Sequence, residues 1–307
     1  MISIGLPAFK PQFLREAIGS VLDQSYKDFE LIIANSGANE AIRSITGEFS
    51  DTRIRYIEGE ALPIVDNWNK VLSLAKGDFF ILFADDDLYD PAFLEEMIRL
   101  PEQYPSCDIF HCRVRVIDEE GNLIQVSQLC PGFETGMEFI LNRLKGKRLQ
   151  FAPDFMCRTA KLREAGGFMP LPLAWGTDDL TWFTLSLHGG IACCTEPLVS
   201  WRRSVHQISV SGDVVLRLEA VLLYREWISR LLQTHQPVTE FEAGLLKELE
   251  LIYLHAIDDQ KNYLVRVHAR NSTMSRHIRF FLGNHRKYRL NKIWFVNTLV
   301  RKLFNAA

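Results

Sequence analysis

The sequence predicts an α/β protein organised on a parallel, doubly wound sheet, and three observations carry that prediction. Strand-like runs at Ile2–Leu6, Glu30–Ala34, Ile54–Glu58 and Phe79–Ala84 recur about every 25 residues. Helix-spaced apolar residues fill intervals between them, the alternation expected of βαβ units. The strands run into polar or turn-forming stretches: Pro7-Ala8-Phe9-Lys10, Asn35-Ser36-Gly37 and Asp85-Asp86-Asp87. Ligands of such sheets bind beyond the carboxyl ends of the strands.

Taken in order, Gln12–Gln24 places Phe13, Leu14, Ala17, Ile18, Val21 and Leu22 on one helical face. Val65–Ala75 repeats that spacing and ends at Lys76-Gly77, a basic last turn and a C-cap glycine. Phe79 to Phe83 is an apolar run suited to a strand buried on both faces, and it stops at three consecutive aspartates. Two carboxylates roughly 6 Å apart at an effective dielectric of about 20 repel by about 2–3 kcal/mol. The triplet therefore needs either full solvation, with Asp87 or Asp90 capping a helix that Pro91 opens, or a cation. No Gly-x-Gly-x-x-Gly and no Walker loop follows any of these strands, which argues against a dinucleotide enzyme or a P-loop NTPase.

Downstream, Phe93, Met97 and Leu100 predict a short helix ending before Pro101. Asp108–Ile117 reads as a strand, Glu120-Gly121-Asn122 as a turn, Met137–Leu144 as a helix and Phe155–Arg158 as a lead into Lys161–Phe168. Trp175-Gly176-Thr177-Asp178-Asp179 opens a helix carrying Leu180, Phe183, Leu185 and Leu187. There Thr177 or Asp178 makes a good N-cap, and acids suit a first helical turn. The last hundred residues predict helices at Val214–Leu232, Phe241–Ile257, His277–Leu282 and Lys292–Phe304.

The 307 residues, 47% apolar and 24% charged, suffice for one large α/β domain and an accessory piece. No run approaches the roughly 18 apolar residues of a membrane span, and the N-terminus lacks a secretory signal layout, so the expected location is the cytoplasm. Six cysteines without a Cys-x-x-Cys pair predict buried, reduced thiols and no structural zinc site. The net charge of −3 conceals a polarity: from Gln260 onward there are eleven bases and no acid. Trp294, Phe295, Leu299, Val300, Leu303 and Phe304 beside Lys292, Arg301 and Lys302 fit either an interfacial helix or an appendage with a solvated basic face. No nucleic-acid-binding module accompanies these bases.

Several stretches in order resemble the family 2 glycosyltransferases, the inverting group with the GT-A fold. SIGLPAF followed by FLREAIGSVLDQSYKDFELIIANSG is similar to that family's opening strand, first helix and nucleotide-binding second strand. NWNKVLSLAKGDFFILFADDD is similar to the helix and strand leading to its Asp-x-Asp metal site. The resemblance spans about Met1 to Gly212, including the Gly166-Gly167-Phe168 turn, the Asp178 region and Trp201–Ser209.

The resemblance implies a GT-A sheet, mixed and Rossmann-like, with helices on its faces and a C-terminal helical extension. It divides the chain into a glycosyltransferase domain at 1–212, with a nucleotide-binding half at 1–90 and an acceptor half at 91–212, and a basic extension at 213–307. Pro7, Phe9 and Asn35 would face the nucleoside; Asn35 stands where the family usually has an aspartate. Asp66, Asn67 and Asn69 match the region facing the diphosphate, where helix capping is the rival reading. Asp86 falls on the principal metal-binding aspartate, flanked by Asp85 and Asp87, with Ala84 in place of the usual first aspartate. His206 would complete the metal shell or contact phosphate, and nearby arginines would pair with phosphate oxygens. Asp178 would be the general base with Asp179 as the alternate, Thr177 replacing the family's glutamate.

The implied activity is transfer of a sugar from a nucleoside diphosphate sugar, UDP-linked by first expectation, to a saccharide or lipid-linked hydroxyl in polysaccharide biosynthesis. Mn²⁺ or Mg²⁺ would assist. The implied location is cytoplasmic, at the inner face of a membrane if the basic helices make peripheral contact. Two rivals stand beside it: a non-catalytic sugar-nucleotide or membrane-binding partner that keeps the fold, and a metal-dependent phosphohydrolase.

Overall fold

The computed structural model describes residues 1–204 and 212–304. The described chain forms two compact units, one of Met1–Pro170 with Thr177–Ser204, the other of Leu171–Gly176 with the residues from Val205 onward.

In the first unit the opening half alternates as its periodicity predicts: β1 (Ile2–Ala8), α1 (Leu14–Leu22), β2 (Phe29–Ser36), α2 (Glu40–Gly47), β3 (Ile54–Gly59), α3 (Ile64–Leu74) and β4 (Phe79–Leu82). The unforeseen α2 starts where the Asn39 side chain accepts from Ala41 N at 2.9 Å, a side-chain cap. β1 is buried along its whole length, and β4 is buried at all four positions. This is the composition of strands covered on both faces. Then follow β5 (Leu88–Tyr89), α4 (Phe93–Gln103), β6 (Ile109–Ile117), β7 (Leu123–Val126), β8 (Phe133–Glu134), α5 (Gly136–Leu144), β9 (Phe155–Arg158), α6 (Thr159–Glu164), α7 (Thr177–Ser186) and β10 (Ile191–Arg202).

The ten strands make one sheet in the order β3-β2-β1-β4-β9-β6-β10-β5, with β7 beside β6 and β8 beside β10. β3, β2, β1 and β4 pair in parallel. β9 then runs antiparallel to both β4 and β6, so the sheet is mixed. Chain order reverses around β1, whose neighbours are β2 and β4. The crevice of a doubly wound sheet opens at such a point.

Three sequence expectations are corrected. Helix α4 continues through Pro101 instead of stopping before it. Proline there removes one late backbone bond, and Tyr104 N still closes the end on the Leu100 carbonyl at 2.8 Å. The thiols are not all reduced: Cys130 and Cys193 form a disulfide, while Cys107, Cys112, Cys157 and Cys194 are free. Cys193 N donates to the Gly132 carbonyl at 2.9 Å, which fixes the Cys130 segment against β10, a contact that linear spacing does not display.

Among its described residues the second unit holds a short helical turn at Pro172–Ala174 and four helices, α8 (Val214–Thr234), α9 (Glu240–Asn271), α10 (Met274–Tyr288) and α11 (Lys292–Phe304). Helix α9 runs fourteen residues beyond the expected Ile257, because no glycine or proline interrupts 258–271. Between α10 and α11, Phe281 and Phe295 stack at 3.8 Å between ring centroids, and His277 Nε2 meets Thr298 Oγ1 at 2.8 Å.

Candidate active site

The ends of β1 and β4 lie side by side, because Ile2–Gly5 pairs in register with Phe79–Leu82. Phe83 N extends that pairing to the Gly5 carbonyl at 2.8 Å. The aspartate triplet thus emerges beside the Pro7–Lys10 turn. Asp85 Oδ2 accepts from Phe9 N at 2.6 Å and from Lys10 N at 2.7 Å, clasping the two strand ends. Burial, and then the charge of Asp86, push the Asp85 carboxyl up to about 6 against the pull of those two amides.

Asp86 is half-buried, and its carboxyl is raised chiefly by desolvation while Lys10 and Arg202 oppose the rise. Asp87 is 1% exposed. Its Oδ1 accepts from Arg202 N at 2.8 Å, and its Oδ2 has no hydrogen-bond partner among the described residues. Burial, followed by the charge of Asp86, drives its carboxyl well above the carboxylate range. An unpaired buried acceptor costs about 1–3 kcal/mol. Three crowded carboxyls, one with an idle inward oxygen, are an all-oxygen donor set that fits a hard divalent cation.

Arg202 faces the interior of the fold. Its guanidinium donates to the Asp86 carbonyl at 3.0 Å, to the Glu119 carbonyl at 2.8 Å and to Glu16 Oε2 at 2.8 Å, and it lies 4.2 Å from the Phe13 ring centroid. At 2% exposure it is a strut that fixes the triplet's backbone. The neighbouring Arg203 is exposed.

Asp154 is an acid that no sequence motif marks. It follows β8 and α5 in the Ala152–Asp154 turn, fully buried, with Oδ1 accepting from Phe151 N at 2.7 Å and Oδ2 unpartnered among the described residues. Tyr89 Oη anchors the same turn through the Pro153 carbonyl at 2.9 Å. The charge of Asp154 acts on Asp87, and that of Asp178 acts on Asp154, so Asp154 connects the two acidic clusters electrostatically. Its own carboxyl sits well above the usual range, through burial above all. A lone aspartate after a proline gives no sequence signal; only burial reveals it.

Asp178 and Asp179 occupy the first turn of α7, which Thr177 secures by donating Oγ1 to the Met169 carbonyl at 2.9 Å. The two acids differ. Asp179 accepts from Arg143 Nε at 2.8 Å. Half-buried Asp178 is pushed up to about 6, first by desolvation and then by the charge of Asp179, with Arg143 opposing. A carboxyl near 6 is a competent proton acceptor at neutral pH.

The nucleoside-facing candidates also gather at the strand ends. Pro7 pairs with Ala34, and Ala8 with Asn35, in the β1–β2 register. Phe9 is half-buried beside them. Asn35 is 1% exposed; its Nδ2 donates to the Asn39 carbonyl at 2.9 Å and to Tyr56 Oη at 2.7 Å, and its Oδ1 accepts from Asn39 N at 2.9 Å. It therefore closes the turn after β2. Asp66 is exposed in the first turn of α3, whereas Asn67 is buried with its Nδ2 unpartnered among the described residues. Asn69 is committed to structure: it exchanges two hydrogen bonds with the Phe168 backbone, at 2.8 and 3.0 Å. Gly167 at φ +81° makes that approach, since a Cβ there would collide with Asn69 Oδ1. Trp175 belongs to the helical unit, where it faces Tyr263 at 6.2 Å between centroids. His206 lies outside the described residues.

A sequence model of glycosyl transferase family 2 matches residues 3–162, more than half of the chain. The chain belongs to that family. Among curated proteins it is similar to an uncharacterized glycosyltransferase of Rickettsia typhi, 29% identical over 124 residues, covering 40% of this chain and 39% of the relative. An uncharacterized glycosyltransferase of Methanocaldococcus jannaschii is 30% identical over 118 residues, 37% of this chain and 41% of the relative. One from Haemophilus influenzae is 24% identical over 205 residues, 64% of each. The match spans about two-fifths of the length of the first two of these relatives.

Two solved structures share the fold. Staphylococcus aureus TarS 1–349, in complex with UDP-GlcNAc, superposes with a TM-score of 0.64 at 14% identity, covering 97% of this chain and 79% of that one. The mannosyltransferase PcManGT of Pyrobaculum calidifontis, in complex with GDP-Man and Mn²⁺, gives 0.58 at 14% identity, covering 100% and 88%. The architecture is the GT-A fold of glycosyltransferases, with helices at the C-terminal end.

Proposed function

We propose that this chain transfers a sugar, with inversion, from a nucleoside diphosphate sugar to a hydroxyl of a saccharide or lipid-linked acceptor. Residues 1–212 would do the chemistry and 213–307 would form an accessory basic extension. One observation carries the reading: an aspartate triplet at the switch point of the sheet, buried at Asp85 and Asp87 with an idle Asp87 oxygen, and linked through the charge of Asp154 to a raised carboxyl at the start of α7.

Asp86 would hold a Mn²⁺ or Mg²⁺ ion, with Asp85, Asp87 and His206 as the remaining candidates for its shell. Such an ion, when bound, neutralises charge that develops on the departing diphosphate. Pro7, Phe9 and Asn35 would border the nucleoside, and Asp66 and Asn67 the diphosphate. UDP-sugars are the first donors to try, and GDP-sugars the second. The UDP-GlcNAc held by TarS and the GDP-Man and Mn²⁺ held by PcManGT support that choice.

Asp178 accepts the proton of the acceptor hydroxyl while that oxygen bonds to the anomeric carbon. The bond from that carbon to the diphosphate oxygen breaks on the opposite side, and the nucleoside diphosphate leaves. Asp179, held by Arg143, keeps a negative charge beside Asp178 and raises its affinity for the proton. Arg202 keeps the triplet in place. Transfer from a UDP- or GDP-linked sugar, followed by NMR of the product, tests the reading: an inverted anomeric configuration is expected, and a retained one overturns the role of Asp178.

The extension invites a peripheral membrane contact at a cytoplasmic face. No described helix is long and apolar enough to cross a membrane. On α11, however, Ile293, Val296, Val300 and Leu303 recur at helical spacing and are 72, 52, 43 and 65% exposed. Exposed Lys292 and Arg301 belong to the same helix, in a stretch with no acid after Asp259. Sedimentation with phosphatidylcholine vesicles, with and without phosphatidylglycerol, should capture the protein only on the anionic ones. Capture unaffected by Val300→Glu and Leu303→Glu together would exclude this helix.

A further inference from the structure

We propose that Cys130, Cys193 and His111 form a second cation site, which takes one Zn²⁺ when the disulfide is reduced. It is separate in chemistry from the aspartate triplet, because it offers sulfur and imidazole instead of oxygen.

The register of the sheet builds it. His111 on β6 pairs with Cys193 on β10, so their side chains share a face, and Cys130 reaches them from the segment after β7. A ring nitrogen of His111 and the two sulfurs lie within 4.8 Å of one another, and all three residues are buried. Zinc at about 2.3 Å from sulfur and about 2.0 Å from nitrogen needs ligand atoms roughly 3.5 Å apart, so opening the disulfide and modest rotation of the side chains suffice.

His111 supplies the second, independent sign. Its ring is 2% exposed and is stacked on Phe155, with centroids 5.4 Å apart. Nδ1 faces the Cys112 carbonyl at 3.3 Å. That contact places the ring proton on Nδ1 and leaves the Nε2 lone pair for another partner, the usual orientation of a metal-ligating histidine. Nε2 has no partner among the described residues. Two thiolates and a neutral imidazole are a borderline-soft set, suited to Zn²⁺ and poorly suited to Mg²⁺.

The oxidation state decides whether the site exists. A dithiol reductant exchanges with the Cys130–Cys193 bond, giving two protein thiols and the reductant's own disulfide, with no electrons left over. Zn²⁺ then replaces the two thiol protons. Disulfide and zinc are thus alternative clamps that tie the Cys130 segment to β10.

The full chain, reduced with a dithiol and freed of it anaerobically, is titrated with Zn²⁺ against a chromophoric chelator and, separately, with Co²⁺. One equivalent per chain is expected, with a thiolate-to-cobalt charge-transfer band in the near ultraviolet. The air-oxidised wild type, which needs no substitution, should lack both. Cys130→Ser should weaken binding at least tenfold and diminish the band, whereas Asp86→Ala should leave both unchanged. The absence of the band in reduced protein, or equal zinc affinity in the oxidised and reduced forms, would overturn the proposal.

Discussion

The two acidic clusters of the first unit use the same residue type to opposite ends. In the triplet, Asp85, Asp86 and Asp87 are all raised, backbone amides hold the outer two, and Arg202 braces the middle one through its carbonyl. At α7 a single arginine separates the pair: Arg143 binds Asp179 and leaves Asp178 with the raised carboxyl. Crowded acids whose oxygens meet no cationic side chain among the described residues suit a divalent ion. An acid beside an arginine-bound twin suits a proton. The environment, and not the residue name, sets the two clusters apart.

The comparison breaks most readily at Asp86. Asp86→Ala should lower metal-dependent turnover by about 10³-fold or more, since an ion at a transferring diphosphate contributes several kcal/mol. Steady-state kinetics across a Mn²⁺ series check this, and turnover near wild type would remove Asp86 from the site. Asp178→Asn comes next, with an expected loss of about 10²–10⁴-fold in turnover and little change in donor binding. In the wild type the base must be ionised, so turnover should climb with pH below about 6 and level off above it. A flat acid limb would contradict the assignment.

The smallest effect sharpens the division within the pair. Arg143 opposes the rise of Asp178, so Arg143→Gln should carry the acid limb to higher pH while donor affinity stays within a few-fold. Loss of turnover with no movement of the limb would mean that Arg143 acts only on folding.

Much of this was legible in the sequence. The strands β1 to β4 and their polar ends show themselves through periodicity, and the triplet does so because three consecutive acids end an apolar run. Asp178 was legible too, as an acid at a helix start. What stayed hidden depends on contacts distant in sequence. Asp154 acquires its character from complete burial, and Arg202 turns inward because Glu16 and Glu119 meet it from elements far along the chain. Asn35 is readable as a polar residue at a strand end, but its bonds to Asn39 and Tyr56 are not. The Cys130–Cys193 link spans 63 residues and becomes visible only once the segment that leads into β8 lies along β10. Local periodicity reports elements and their ends; the partners of a buried polar group are a property of the sheet order.

Donor-induced thermal stabilisation, measured with and without Mn²⁺ for the wild type, Asp86→Ala and Asp178→Asn side by side, tests the central claim most directly. A Mn²⁺-dependent shift with a UDP- or GDP-sugar is expected in the wild type and in Asp178→Asn, and none in Asp86→Ala. A shift that survives intact in Asp86→Ala, or one that disappears in a folded Asp178→Asn, would contradict the division of labour between the two clusters.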